Sequence, residues 1–337
     1  MNDFQTYFKK KISSSKKLNH MGNNQIFEIS LNNNKKFLVK RYSRIHGNNW
    51  DRGMKEFKTL SFLWNKGFRE TPKPIYFYKN DNVGVYTFEK GRILKPNEIH
   101  EEHIKKAVNF LLKIHNLDNE SKKLFSPASS ACLSFQDYIN TIDKRLKKII
   151  SHDFCETGNE NGKNFLKERI IPIIEKLKRE FLMKAKEEEI DMKKELPIDE
   201  QVLTPADFGF HNILVDEKGN YKFIDFEYFG RDDPVRQILD FLHHDQSIEI
   251  DERLKKYFLD LYMRKMQKVI DIDFFKKRFR LVNGLVGITW TLIYLNVLSP
   301  NYIKHLKFAH GDVGNLIEER LIKAERKLER LRVFINF

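Results

Sequence analysis

The chain has 337 residues, 41% hydrophobic and 32% charged, which excludes a disordered or low-complexity protein and suits one large domain or two packed lobes. Two cysteines, Cys132 and Cys155, are too few for a disulfide framework, and the first residues lack a signal-peptide apolar core, so a cytoplasmic, reducing setting is expected. The net charge of +14 is spread over lysines along the whole chain. There is no zinc-finger spacing, RNA-binding aromatic motif or isolated basic tail, so no nucleic-acid partner is expected.

Residues 20–90 read as strands with one helix. Phe27, Ile29 and Leu31 fall on one face of a strand, an Asn-rich turn follows at Asn32–Asn34, and Phe37–Tyr42 returns as the second arm of a hairpin. Met54, Phe57, Leu60 and Trp64 are spaced as on a helix, which ends at Gly67. Pro72, Pro74 and Ile75 open an extended stretch, and Val83–Phe88 is a further strand, closed by Gly91.

From Glu101 the pattern turns helical, with Ile104, Ala107, Val108, Leu111, Leu112 and His115 as a mainly apolar stripe. Residues 133–195 read mostly as charged amphipathic helix. Two short strands, Ile213–Val215 and Tyr221–Phe226, flank the turn Glu217–Asn220. After Pro234 the chain is predicted helical almost to its end. The apolar run Leu281–Leu298 has the length of a membrane span, but Asn283, Gly284, Gly287, Thr289, Thr291 and Asn296 interrupt it, so a buried core helix and no span are expected. Ile317, Leu321, Ala324, Leu328 and Leu331 form a short heptad-like seam, expected to pack on its own domain, so a monomer or a homodimer fits.

The stretch from Pro205 to Asp225 carries the chemistry. Asp207 lies five residues before Asn212, and Asp225 follows thirteen residues later, after the apolar strand Tyr221–Ile224. Taken alone, these are also a turn Asp and a capping Asn of an ordinary hairpin. Together they suit phosphoryl transfer to a hydroxyl. One carboxylate, Asp207, orients the acceptor and takes its proton, while an amide and a second carboxylate, Asn212 and Asp225, offer oxygens to Mg²⁺. Asp207-Phe208-Gly209 spells the metal-binding DFG of protein kinases, but no Asp-x4-Asn loop lies upstream: Asp199 is followed by Thr204 and Asp191 by Leu196. Asp207 therefore belongs to the catalytic loop. No Ala-Pro-Glu segment follows Asp225, which disfavours a protein kinase.

At these residues the chain resembles the aminoglycoside phosphotransferase and choline kinase family, sharply over 203–245 and more loosely over about 22–296. The family's loop is His-Gly-Asp-x4-Asn; here Pro205 and Ala206 stand for the His and Gly, and Asp207 and Asn212 are kept. Ile224-Asp225-Phe226-Glu227-Tyr228 is similar to the strand end of choline and ethanolamine kinases, and Asp232-Asp233-Pro234 with Asp240 resembles the run that follows in many bacterial members. The resemblance implies an α+β, two-lobed protein-kinase-like fold, with a small antiparallel-sheet nucleotide-binding lobe over 1–90. A large mainly helical lobe over 91–337 would hold the catalytic loop and substrate pocket. It implies ATP and Mg²⁺ as cofactors and a small-molecule hydroxyl acceptor: a sugar, an amino alcohol such as choline or ethanolamine, or an aminoglycoside. Lys40 would contact the ATP phosphates with Glu56 as its ion-pair partner. Gly22 and Asn23 would cover the phosphates, and Phe88 and Glu89 would lie in the hinge that reads adenine. Glu227, Asp232, Asp233 and Asp245 are candidate acceptor-site acids, with Tyr228, Phe229 and Trp290 as candidate aromatics. His115 reads as structural; His243 and His244 read as a helix end or pocket lining. The altered Pro205-Ala206 loop leaves one alternative, a nucleotide-binding pseudokinase or scaffold without turnover.

Overall fold

Alternating apolar residues build the N-terminal sheet. The computed structural model describes residues 5–8, 11–18, 24–43, 51–150, 160–310 and 314–334. Five antiparallel strands, β1 (Ile12–Leu18), β2 (Gln25–Leu31), β3 (Lys36–Arg41), β4 (Pro74–Tyr78) and β5 (Val83–Thr87), take the order β1-β2-β3-β5-β4. One face buries Ile12, Ile29, Leu31, Val39, Val83 and Val85, with Phe27 and Phe37 packed against them. Because side chains alternate across a strand, Leu38 and Lys40 of β3 lie on the opposite face. Lys40 is registered against Gly84 of β5. A side chain at Gly84 would strike the Tyr86 ring, so the glycine lets Tyr86 lie along the sheet. The Asn32–Asn34 turn forms as expected, with Asn34 at φ 61°, a conformation Asn tolerates. Strand β1 was not foreseen: its sequence, ISSSKKL, is an edge strand that buries only Ile12 and so shows no alternation.

Helix α1 (Arg52–Asn65) is capped by Asp51, whose side chain accepts from Met54 N at 3.0 Å. Its inward face is Gly53, Glu56, Leu60 and Leu63, rotated from the expected stripe; Met54, Phe57 and Trp64 are only half-buried. That rotation places Glu56 inside. A three-stranded ladder joins β6 (Arg92–Ile93), β8 (Ile213–Val215) and β9 (Tyr221–Phe223) in the order β6-β8-β9, and β7 (Val202–Thr204) pairs with β10 (Gly230–Asp232).

The main helices of the remainder are α2 (Glu101–His115), α3 (Phe135–Ile150), α4 (Ile171–Glu187), α5 (Pro234–His243), α6 (Glu252–Met266), α7 (Ile272–Tyr294) and α8 (Gly314–Phe334), with a further helix at Pro300–His310 and shorter helical segments between them. Helix α7 and its 3-10 extension are long and apolar enough to cross a membrane by composition, but 78% of the apolar window is buried inside the protein. It packs against α3, α4, α5 and α8. The α8 seam closes on it, with Ala324, Leu328 and Leu331 buried and Leu331 beside Gly287. His115 is structural: its Nδ1 lies 2.9 Å from Tyr262 Oη, and burial pushes its pKa down to about 3.

The chain forms two compact units. One is Met1–Leu94 with Phe210–Phe229 and Lys304–Asp312; the other is Lys95–Gly209 with Gly230–Ile303 and Val313–Phe337. The segment Phe210–Phe229, which the sequence reading assigned to the 91–337 lobe, thus packs with the sheet. Residue spacing cannot reveal this, because the β8–β9 hairpin acquires its neighbours, Arg92 and Ile93, from far upstream.

Candidate active site

In the sheet unit, a buried lysine gathers three acids. Lys40 Nζ donates to Glu56 Oε2 at 2.8 Å and to Asp225 Oδ1 at 2.8 Å, with Glu227 Oε2 at 3.8 Å. Lys40 is 5% exposed, so it requires such partners. Burial alone would push the Lys40 ammonium down, but the pull of Asp225, Glu56 and Glu227 outweighs it and holds the pKa well above the usual lysine range. Every oxygen of Glu56 is engaged: Oε2 also accepts from Tyr42 Oη at 2.6 Å, and Oε1 accepts from Phe226 N at 3.2 Å. Tyr42 Oη in turn lies 2.8 Å from Tyr86 Oη, the group that Gly84 makes room for. Burial, then the adjoining Glu56 charge, pushes both phenols well up.

Glu227 is 2% exposed, accepts from Asn24 Nδ2 at 2.7 Å and has Arg52 Nη1 at 3.6 Å. Burial raises its pKa against the lowering pull of Lys40. Carboxylate oxygens of Glu56, Asp225 and Glu227 lie within 4.8 Å of one another, an all-oxygen set of the kind hard divalent cations take. Of the three, Asp225 has the most accessible side chain, at 28%. It holds the left-handed φ of 67°, uncommon outside glycine and tolerated by Asp. Asn212 is tied to it through the backbone, its carbonyl accepting from Ile224 N at 2.9 Å.

Phe88 and Glu89 follow β5 directly. The Glu89 carboxylate accepts from Thr87 Oγ1 at 2.5 Å and pairs with Lys222 at 3.0 Å, while Lys36 Nζ stands 5.6 Å from the Phe88 ring centre. Gly22 and Asn23 lie outside the described residues.

In the helical unit, Asp207 follows β7 and is half-buried. Ala206, just before it, has φ 65°, the left-handed conformation that glycine adopts freely, and its amide donates to Thr204 Oγ1 at 3.0 Å. Phe208 is buried against Phe241, with ring centres 6.2 Å apart.

The candidate acceptor acids do not assemble as one group. Glu227 belongs to the Lys40 cluster. Asp232 and Asp233 are buried and engaged within their own unit. Asp232 Oδ1 accepts from Cys132 N and Asp233 N, both at 2.8 Å. Asp233 caps α5 by accepting from Val235 N, and also binds Tyr138 Oη at 2.8 Å and Arg278 Nε at 2.9 Å. Asp245 pairs with Lys323 at 2.7 Å. Cys132, Tyr138, Arg278 and Lys323 come from 45 to 100 residues away and left no local signal. The structure also brings out His244, which the sequence reads as a helix end or pocket lining. One of its ring nitrogens lies within 4.8 Å of an Asp207 carboxylate oxygen.

The chain matches the model of the phosphotransferase enzyme family, APH, over residues 16–269, and it belongs to that family. No curated protein sequence matches it. Among solved structures, Plasmodium vivax ethanolamine kinase is 18% identical with a TM-score of 0.61, over 98% of this chain and 82% of that one. Choline kinase LicA from Streptococcus pneumoniae is 16% identical with a TM-score of 0.60, over 98% and 97%. Spectinomycin phosphotransferase APH(9)-Ia, solved with ADP and spectinomycin, is 13% identical with a TM-score of 0.58, over 97% and 96%. At such identities the likeness establishes a shared kinase-like fold.

Proposed function

We propose that this phosphotransferase-family chain moves the γ-phosphoryl group of ATP onto a hydroxyl of a small molecule. The observation that carries this reading is Lys40, on a small-sheet strand, held between Glu56 of α1 and Asp225, 185 residues downstream. A purely structural ion pair needs one acid; here the lysine meets three, of which Asp225 keeps the most access to solvent.

In this scheme Lys40 contacts the nucleotide phosphates, and Glu56, itself fixed by Tyr42 and the Phe226 amide, sets its position. Asn212 and Asp225 would hold Mg²⁺, which would neutralise charge on the phosphates. Phe88 and Glu89 would read the adenine edge, and Gly22 and Asn23 would cover the phosphates. Asp207 orients the acceptor hydroxyl. As the new oxygen–phosphorus bond forms and the bond to the β-phosphate oxygen breaks, Asp207 takes the hydroxyl proton, and ADP leaves. The family's known acceptors, among them ethanolamine, choline and spectinomycin in the relatives above, set the range: a small hydroxylated metabolite or antibiotic. The retained Asp207, Asn212 and Asp225 argue against binding without turnover.

ADP release from Mg²⁺-ATP in the presence of an acceptor panel tests the reading. Turnover should vanish in Asp207→Ala with ATP binding kept, whereas Asp225→Ala should weaken metal-dependent nucleotide binding.

A further inference from the structure

We infer that His244 binds the acceptor hydroxyl beside Asp207, and that the acceptor is a neutral polyhydroxyl compound rather than an amine cation. The inference rests on the phosphoryl-transfer reading above and narrows its acceptor.

Three observations, all within the helical unit, carry it. First, the Asp207 carboxylate and a His244 ring nitrogen approach within 4.8 Å, and both residues are half-exposed. At the outer end of that range, a hydroxyl oxygen about 2.8 Å from each group fits between them. An imidazole offers one donor and one acceptor, so it can hold the hydroxyl oxygen while Asp207 receives the proton.

Second, the imidazole is held in place. Its ring meets the Trp290 ring edge-on, with centres 4.9 Å apart and planes at 82°. The Trp290 indole N–H donates to Asp240 Oδ1 at 2.8 Å, and the His244 amide donates to the Asp240 carbonyl at 2.9 Å. Asp240 thereby sets both the backbone and the aromatic wall of His244. A half-buried tryptophan beside a few placed polar groups is the usual make-up of a small-molecule site.

Third, the four acids from Asp232 to Asp245 are already matched. Asp240 Oδ2 accepts from Arg236 Nε at 2.6 Å, Asp245 pairs with Lys323 at 2.7 Å, and Asp233 binds Arg278. Asp232 is buried on two backbone amides. An ammonium acceptor leaving water here would need a carboxylate not already balanced by a cation or amides. Neutral hydroxyls need only hydrogen bonds and an aromatic face.

Two defined acceptor pools test this with the full chain and Mg²⁺-ATP, with ADP release as the readout. One pool holds neutral compounds, including glucose, mannose, glycerol and myo-inositol; the other holds choline, ethanolamine, spectinomycin and kanamycin. The neutral pool should turn over at least about tenfold faster. His244→Ala should cut kcat/KM for the responding acceptor about tenfold, the loss of one hydrogen bond of about 1.4 kcal/mol, with the KM for ATP unchanged. His244→Gln, which keeps a hydrogen-bonding group, should recover part of the loss. Equal or faster turnover of the cationic pool overturns the inference and leaves phosphoryl transfer standing. An unchanged acceptor kcat/KM in His244→Ala, or an equal rise in the KM for ATP, overturns the role of His244. ADP from neither pool removes the phosphoryl-transfer reading and this inference with it.

Discussion

Lys40 Nζ and Glu56 Oε2 are 2.8 Å apart, both buried, and each Glu56 oxygen already accepts a hydrogen bond. In the proposed scheme Glu56 is therefore a positioning residue and Lys40 the group that meets phosphate. Hydrogen bonds to charged groups contribute about 1.5–3 kcal/mol each. Glu56→Gln should accordingly lower kcat/KM for ATP by about 10- to 100-fold, and Lys40→Met by more. Steady-state kinetics with varied ATP measure both. A Glu56→Gln enzyme with wild-type kcat/KM would remove the positioning role.

Tyr42 and Tyr86 share one buried hydrogen bond, and Tyr42 alone also serves Glu56. Tyr42→Phe leaves Tyr86 Oη without its partner, at a cost of about 1–3 kcal/mol. Adding Tyr86→Phe removes the stranded hydroxyl, so the double variant should lose less stability than the sum of the two singles. Denaturant unfolding of the four proteins reads the coupling; strict additivity would contradict it.

Ala206 occupies φ 65° one residue before Asp207. The left-handed conformation costs a non-glycine residue roughly 1–2 kcal/mol, and glycine's extra unfolded-state entropy offsets roughly 0.5–1 kcal/mol of any gain. Ala206→Gly should therefore stabilise the protein by up to about 1 kcal/mol, seen as a higher denaturation midpoint at unchanged slope. A lower midpoint would show that the alanine is not strained. The resemblance explains the backbone: the related loop carries glycine here, and this chain keeps the conformation without the residue.

Much of this was legible in the sequence because it is local. The hairpin of β2 and β3 is announced by alternation and by Asn32–Asn34, and it delivers Lys40. Asp207, Asn212 and Asp225 stand out in the sequence by their spacing around short strands. What escaped is what long-range partners decide. Strand β1 exposes most of its side chains, so no period marks it. The inward face of α1 is set by Glu56 reaching Lys40, which rotates the helix away from its most apolar stripe. Asp232 and Asp233 look like free acids in the sequence, yet their partners, Cys132, Tyr138 and Arg278, lie 45 to 100 residues away. His244 stands beside Asp207 because α5 carries it back there, which no spacing rule encodes.

Burial raises the Asp232 carboxyl from 3.8 to about 7, against the lowering pull of Arg236. The folded value exceeds the unfolded one, so its contribution is complete below about pH 4, where both states are protonated. It is lost as pH rises towards 7, because the unfolded chain releases a proton that the folded chain keeps. Asp232→Asn cannot ionise and keeps an oxygen for the Cys132 and Asp233 amides. Its stability relative to wild type should therefore improve steadily from pH 4 to pH 7 and level off above. Urea midpoints of both proteins across that range measure it; a pH-independent difference would place the titration elsewhere.

Phosphoryl transfer from ATP with Asp207 at the acceptor is tested most directly by comparing turnover and nucleotide affinity in Asp207→Ala. With Mg²⁺-ATP and the best acceptor of the panel, ADP release should fall by at least about a hundredfold, the lower end of what a positioned general base contributes. The ATP dissociation constant, measured calorimetrically, should stay within about twofold of wild type, a difference under 0.5 kcal/mol. Turnover comparable to wild type in Asp207→Ala would contradict the account.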